Sequence, residues 1–181
     1  EHNFIDGLVY SKLKDLNILP SEQADDAEYA RRVYLDVIGT LPSAAEVQQF
    51  LSDPSSDRRA QLVERLLQRP EYADYWALKW SDLLGVQRKA LGHKAAYAYY
   101  RWIRENFAAN RPYDEFVREI ITAQGALLDV PQANFYKVDS DPGKLASRVA
   151  QTFLGLRIEC AQCHHHPTDV WTQTDYFGMQ S

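Results

Sequence analysis

The sequence predicts an all-α protein, an irregular multi-helix domain, and three observations carry that reading. Apolar residues recur at three- and four-residue spacing through most of the chain. Strict apolar–polar alternation, the mark of a half-buried strand, is scarce. Capping and stop residues fall at the ends of the periodic stretches.

Taken in order, Ile5, Leu8, Val9, Leu13 and Leu16 mark a first amphipathic helix, ended by the turn Asn17-Ile18-Leu19-Pro20. Ala30, Val33, Tyr34, Val37 and Ile38 share one face of a second, from about Ala27 to Ile38, which Gly39 can close in the left-handed conformation. Ser43-Ala44-Ala45-Glu46 is a capping box, in which Ser and Glu reciprocally satisfy free N–H groups. It opens a short helix buried through Val47, Phe50 and Leu51. Beyond the break at Asp53-Pro54-Ser55-Ser56, Leu62, Val63, Leu66 and Leu67 define another helix. Pro70 suits a first helical position, where its missing N–H does no harm. The helix it starts carries Tyr72, Tyr75, Trp76, Leu78, Trp80, Leu83 and Leu84.

Two more helices are expected from about Ala95 to Ala108 and from Asp114 to Ala123. Gly125 to Ser140 has no sustained period, contains Pro131 and reads as a long loop, the only internal seam in what is otherwise one domain over residues 1–181. Asp141-Pro142 reads as an N-cap and a first-turn proline. They open a helix to about Leu156 with Leu145, Val149 and Phe153 inside. The 4 Trp, 11 Tyr and 7 Phe fit a core of large side chains.

Composition excludes several classes. A net charge of -5 gives no basic surface for a nucleic-acid partner. The apolar runs are only a few residues long, against the roughly 20 that a transmembrane helix needs. The chain opens on Glu1-His2-Asn3, with neither Met nor a signal-like segment, and reads as a mature or excised fragment. Phosphate-binding glycine loops and nucleophile elbows are absent, and Asp36, Asp114 and Glu115 form no fixed acid–base pair.

The two cysteines lie within four residues, in Cys160-Ala161-Gln162-Cys163-His164. This is the C-x-x-C-H pattern of haem c attachment. Thiols three positions apart sit about one turn from each other and can add to two vinyl groups on one porphyrin edge. The next residue then brings its imidazole to the iron as proximal ligand. The pattern predicts a haem-attachment loop near the C-terminus, delivered by the preceding helix, with Leu154, Leu156 and Ile158 as apolar cover.

A zinc site using Cys160, Cys163 and two of His164, His165 and His166 is the chemical alternative, and a Cys160–Cys163 disulfide another. Four ligands within seven residues would be cramped, and the βαβ setting of a thioredoxin-like dithiol is missing. His166 is placed to hold a haem propionate or the His164 ring, or to ligate zinc. Met179, the only methionine, is the sixth-ligand candidate, with His93 a more distant one.

Further stretches resemble a family of uncharacterised, cytochrome-like domains in large extracytoplasmic proteins of planctomycete bacteria. They are Arg31-Arg32-Val33-Tyr34-Leu35-Asp36 with Gly39-Thr40-Leu41-Pro42, then Asn110-Arg111-Pro112-Tyr113-Asp114-Glu115-Phe116-Val117, then Asn134-Phe135-Tyr136 through Phe153-Leu154-Gly155 to the cysteines. His166-Pro167 and Trp171-Thr172-Gln173 complete the set. The resemblance implies an exported, periplasmic or cell-surface, modular protein, with haem-binding roles for Cys160, Cys163 and His164. Its partners would be neighbouring domains or a redox protein. The chain departs from that pattern at His165 and Thr168, where Asn or Asp and Phe are more usual, and at Met179, where relatives commonly carry another apolar residue.

The function expected on these grounds is a monohaem c-type electron-transfer module rather than a catalyst. The competing expectation is a zinc- or disulfide-stabilised interaction domain of an extracellular protein.

Overall fold

The periodic stretches become helices in the computed structural model, which describes residues 3–181. Eleven are found among the described residues, and no strand. They are α1 (Phe4–Asp15), α2 (Asp26–Ile38), α3 (Ala44–Ser52), α4 (Arg58–Leu67), α5 (Pro70–Leu83) and α6 (Arg88–Leu91). There follow α7 (His93–Ala108), α8 (Tyr113–Ile121), α9 (Asn134–Val138), α10 (Pro142–Val149) and α11 (Gln173–Gln180). None is long and apolar enough to cross a membrane.

Three apolar clusters organise these helices. In the first, Ala30, Tyr34 and Ile38 of α2 meet Phe50 of α3 and Leu62 and Leu66 of α4. The second and largest joins Ala77 of α5, Tyr99 and Ile103 of α7, Phe116 and Ile120 of α8, and Phe135 of α9. The third, Ala150, Ile158, Ala161 and Tyr176, lies directly beneath the cysteine segment.

Local chemistry sets the helix ends. Ser43 and Glu46 form the expected capping box, with Ser43 N–H donating to Glu46 Oε2 at 2.7 Å. Gly39 closes α2 at φ 70°, and a side chain there would collide with the Tyr75 ring of α5. That close approach, with Trp76 Nε1–H donating to the Val37 carbonyl at 3.1 Å, joins the first cluster to α5. Arg69 adds a polar tie, reaching Glu46 at 2.7 Å and Glu71 at 2.5 Å.

Two sequence expectations need correction. The segment Gly125–Ser140 is not simply a loop: it holds a 3₁₀ turn, Pro131–Ala133, and the five-residue α9. Asn134 Nδ2 donates to the carbonyls of Leu127 and Pro131, stitching the segment to itself. Phe135 is fully buried in the main cluster, a contribution of about 1.5–3 kcal/mol. A helix this short cannot display a 3.6-residue period, so pattern reading misses it.

The second correction concerns burial. α1 is helical, with an Asn3/Asp6 capping box, but buries none of its residues. Phe4, Ile5 and Leu8 stand 80%, 53% and 68% exposed. Leu51, Leu67, Leu78 and Leu83 are likewise exposed on the helices that carry them.

Candidate haem-attachment site

The segment is built from α10 upward. Asp141 caps α10 by accepting from Lys144 N–H at 2.9 Å, and Pro142 occupies the first turn. The helix then widens into a π turn, Ala150–Leu154. Such turns are rare and recur at functional sites. Gly155, at φ 68°, stops it, and the Ala150 carbonyl accepts from Leu156 N–H at 3.0 Å. The helix expected to run to about Leu156 is therefore α only to Val149, continues as the π turn to Leu154, and is redirected at Gly155.

A 3₁₀ turn, Glu159–Gln162, then carries the first cysteine, and Cys163 follows it. Ala161 points inward, fully buried, so Cys160 and Cys163 on either side of it face solvent as free thiols. Ile158, expected to cover a bound group, is 5% exposed and belongs to the support beneath the turn. Leu156 is half-buried against the same cluster, and Leu154 is 57% exposed.

His164 is exposed, with Nδ1 2.5 Å from the His165 carbonyl oxygen. An Nδ1–H donated there leaves Nε2 as the free lone pair, the form a metal-binding imidazole needs. His165 is exposed. His166 is half-buried; its backbone N–H donates to the Trp171 carbonyl at 2.8 Å, closing the loop between them. Its Nδ1 accepts from Thr168 N–H at 3.3 Å.

The loop is pinned from its far side by α11. Gln173 Nε2 donates to the Gln162 carbonyl at 3.1 Å. Thr172 and Asp175 form a capping box, and the Thr172 N–H holds the Asp175 carboxyl below the ordinary range. Tyr176 is buried against α10, where Gly143 lets it approach: a Cβ there would lie 2.8 Å from the Tyr176 hydroxyl.

Trp171, singled out in the sequence only by the resemblance, packs on the cluster under the turn, and its indole N–H is buried with no partner among the described residues.

Met179 lies near the end of α11, 36% exposed. It lines a groove of about 620 Å³ with Ile121, Tyr136, Leu145 and Val149, which no residue of the cysteine segment lines. His93 opens α7 and is exposed.

The donor set suits covalent haem: two uncommitted thiols and one imidazole with a free Nε2. The adjoining groove, about 790 Å³, is different in character. Glu159 and Gln162 line it together with Asp82, Asp141, Lys144 and Arg148, so it is polar and not an apolar slot. Among the described residues no three of His, Cys, Asp and Glu converge as a metal-holding group, so a zinc centre would require side chains to regroup.

Fold and segment together define an all-helical domain with an exposed turn, between α10 and α11, that presents two thiols and the imidazole next to them. The chain matches the PSCyt2 family, a protein of unknown function (DUF1549), over residues 4–181. It belongs to that family. No curated protein and no solved structure matches it.

Proposed function

We propose that this chain binds one haem covalently and works as a c-type, cytochrome-like electron-transfer module. Cys160 and Cys163 would hold the group as thioethers, each thiol adding across a vinyl group, and His164 Nε2 would ligate the iron. The observation that carries this reading is the pairing of two free, exposed thiols around the buried Ala161 with an adjacent imidazole whose Nδ1 is engaged. When bound, the haem supplies the one-electron chemistry.

The chain's own residues tether and orient. The cluster of Ala150, Ile158, Ala161 and Tyr176 fixes the turn against α10 and α11. The His165 carbonyl engages His164 Nδ1 and so orients that ring, and His166, whose Nδ1 accepts from Thr168 N–H, holds the loop that follows. Because the tether is covalent, attachment does not need the enclosing pocket that non-covalent binding would. Met179, the sixth-ligand candidate, lines a groove on Ile121, Tyr136 and Val149 that no residue of the attachment turn shares, so in this arrangement the sixth position falls to water or to a group outside the chain.

The module would work outside the cytoplasm, in a modular protein, as the resemblance of its sequence stretches to planctomycete cytochrome-like domains implies. Its partners there are neighbouring domains or a redox protein. The test is the intact mass of exported protein made alongside haem-attachment machinery. The parent should gain one haem, and Cys160→Ala and Cys163→Ala should each reduce or abolish that gain. An apoprotein carrying full zinc under those conditions contradicts the proposal.

A further inference from the structure

The groove of about 790 Å³ beside the cysteine turn holds more unengaged polarity than helix packing explains. Tyr176 of α11 and Ser147 of α10 are 2% and 8% exposed, and both line it. Neither side-chain hydroxyl has a partner among the described residues. Neither is sealed off, unlike the unpaired hydroxyls of Ser81 and Tyr99. Tyr176 reaches the groove at Gly143, where a Cβ would lie 2.8 Å from its hydroxyl. Ser147 stands one turn further along α10, so both hydroxyls open on the same stretch of wall. Hydroxyls on residues this buried are nearly always paired, by protein, water or ligand.

The surrounding charges narrow the kind of ligand. Four carboxylates and two cations line the groove. Arg148 holds Asp139 at 2.5 Å, and Asp141 is engaged as the cap of α10. The side chains of Asp82, Glu159 and Lys144 are free of hydrogen bonds and ion pairs among the described residues. An ion of either sign therefore meets a free like charge on this wall. No three of the His, Cys, Asp and Glu side chains converge on a metal among the described residues. An apolar ligand would strip water from these groups without replacing its hydrogen bonds. A neutral compound with several hydroxyls meets every demand: its O–H groups donate to carboxylates, its oxygens accept from ammonium, and it does both with hydroxyls.

We propose that this groove binds a neutral sugar, whose hydroxyls donate to Asp82 and Glu159 and pair with Ser147 and Tyr176. Its volume falls within the roughly 300–1,000 Å³ of small-molecule sites. The site uses neither thiol and stands whether or not haem is attached at the neighbouring turn.

The test is an NMR titration of the full chain with glucose, galactose, mannose and xylose, followed at the backbone amides of Gly143, Ser147 and Tyr176. Tetrahydropyran, a sugar ring without hydroxyls, and inorganic phosphate are the controls. The proposal expects saturable shifts at these amides with at least one sugar and with neither control. Ser147→Ala and Tyr176→Phe should each weaken that sugar about fivefold, the worth of one net hydrogen bond. Asp82→Ala should weaken it about tenfold or more, because a bond to a charged group is worth more. If Tyr176→Phe does not fold, Asp82→Ala decides, since Asp82 lies outside the core. No saturation by any of the four sugars up to their solubility, or shifts that bypass these amides, would overturn the proposal. So would a control that shifts the same amides as strongly, or sugar binding that the variants leave unchanged.

Discussion

The Nδ1 atom of His164 lies 2.5 Å from the carbonyl oxygen of the next residue, His165. A backbone carbonyl can only accept, so this contact favours the tautomer with the proton on Nδ1 and the lone pair on Nε2. His165 contributes that acceptor through its main chain, so its own imidazole is dispensable. On the haem reading, His164→Ala should keep the thioethers but shift the spectrum to an open-coordination form, whereas His165→Ala should leave it unchanged. Indistinguishable spectra for parent and His164→Ala would remove His164 from the iron.

Glu46 is the most strongly perturbed carboxylate, pushed down to about 2 from an ordinary value of 4.5. The N–H and hydroxyl of Ser43 dominate, with Arg69 and Tyr34 adding to them. A carboxyl with a lowered folded-state value stabilises above the unfolded value and loses that contribution as pH falls through the folded one. Glu46→Gln keeps a capping-box acceptor but loses the charge facing Arg69. About a third of the Glu46 side chain is in solvent, which screens the pair, so about 1 kcal/mol is expected at pH 7. Denaturant unfolding should show the gap between variant and parent closing between pH 4.5 and 2. A gap as wide at pH 2 as at pH 7 would contradict the ionic origin.

Gly39→Ala combines two penalties, a side chain at φ 70° and a clash with the Tyr75 ring. A loss of about 2 kcal/mol or more is expected, because the left-handed cap costs about 1 kcal/mol without glycine and the ring must also move. Thermal unfolding checks it. A loss under about 0.5 kcal/mol would mean that α2 and α5 are less closely apposed at this end.

Much of this architecture is legible in the sequence because its helices are amphipathic and punctuated. The Ser43/Glu46 box, the Pro70 and Pro142 starts and the Gly39 stop all appear as read. The failures have physical causes. Asn134 and Phe135 are buried by side-chain bonds to loop carbonyls and by contacts distant in sequence, which no local period encodes. Periodicity shows that α1 has an apolar face but cannot show that nothing among the described residues buries it. The cysteine motif announces its chemistry through spacing alone. Its supports, Ala161, Tyr176 and the Trp171 indole, come together only once α11 returns along α10.

Whether Cys160, Cys163 and His164 hold one haem is tested most directly by the visible spectrum of the exported protein. Made with haem-attachment machinery, oxidised and then reduced, the pure protein should be red. Its sharp reduced bands should stay with the polypeptide through acidic organic extraction. A colourless protein from cells that mature other c-type cytochromes, or a colour that extraction strips away, would contradict it.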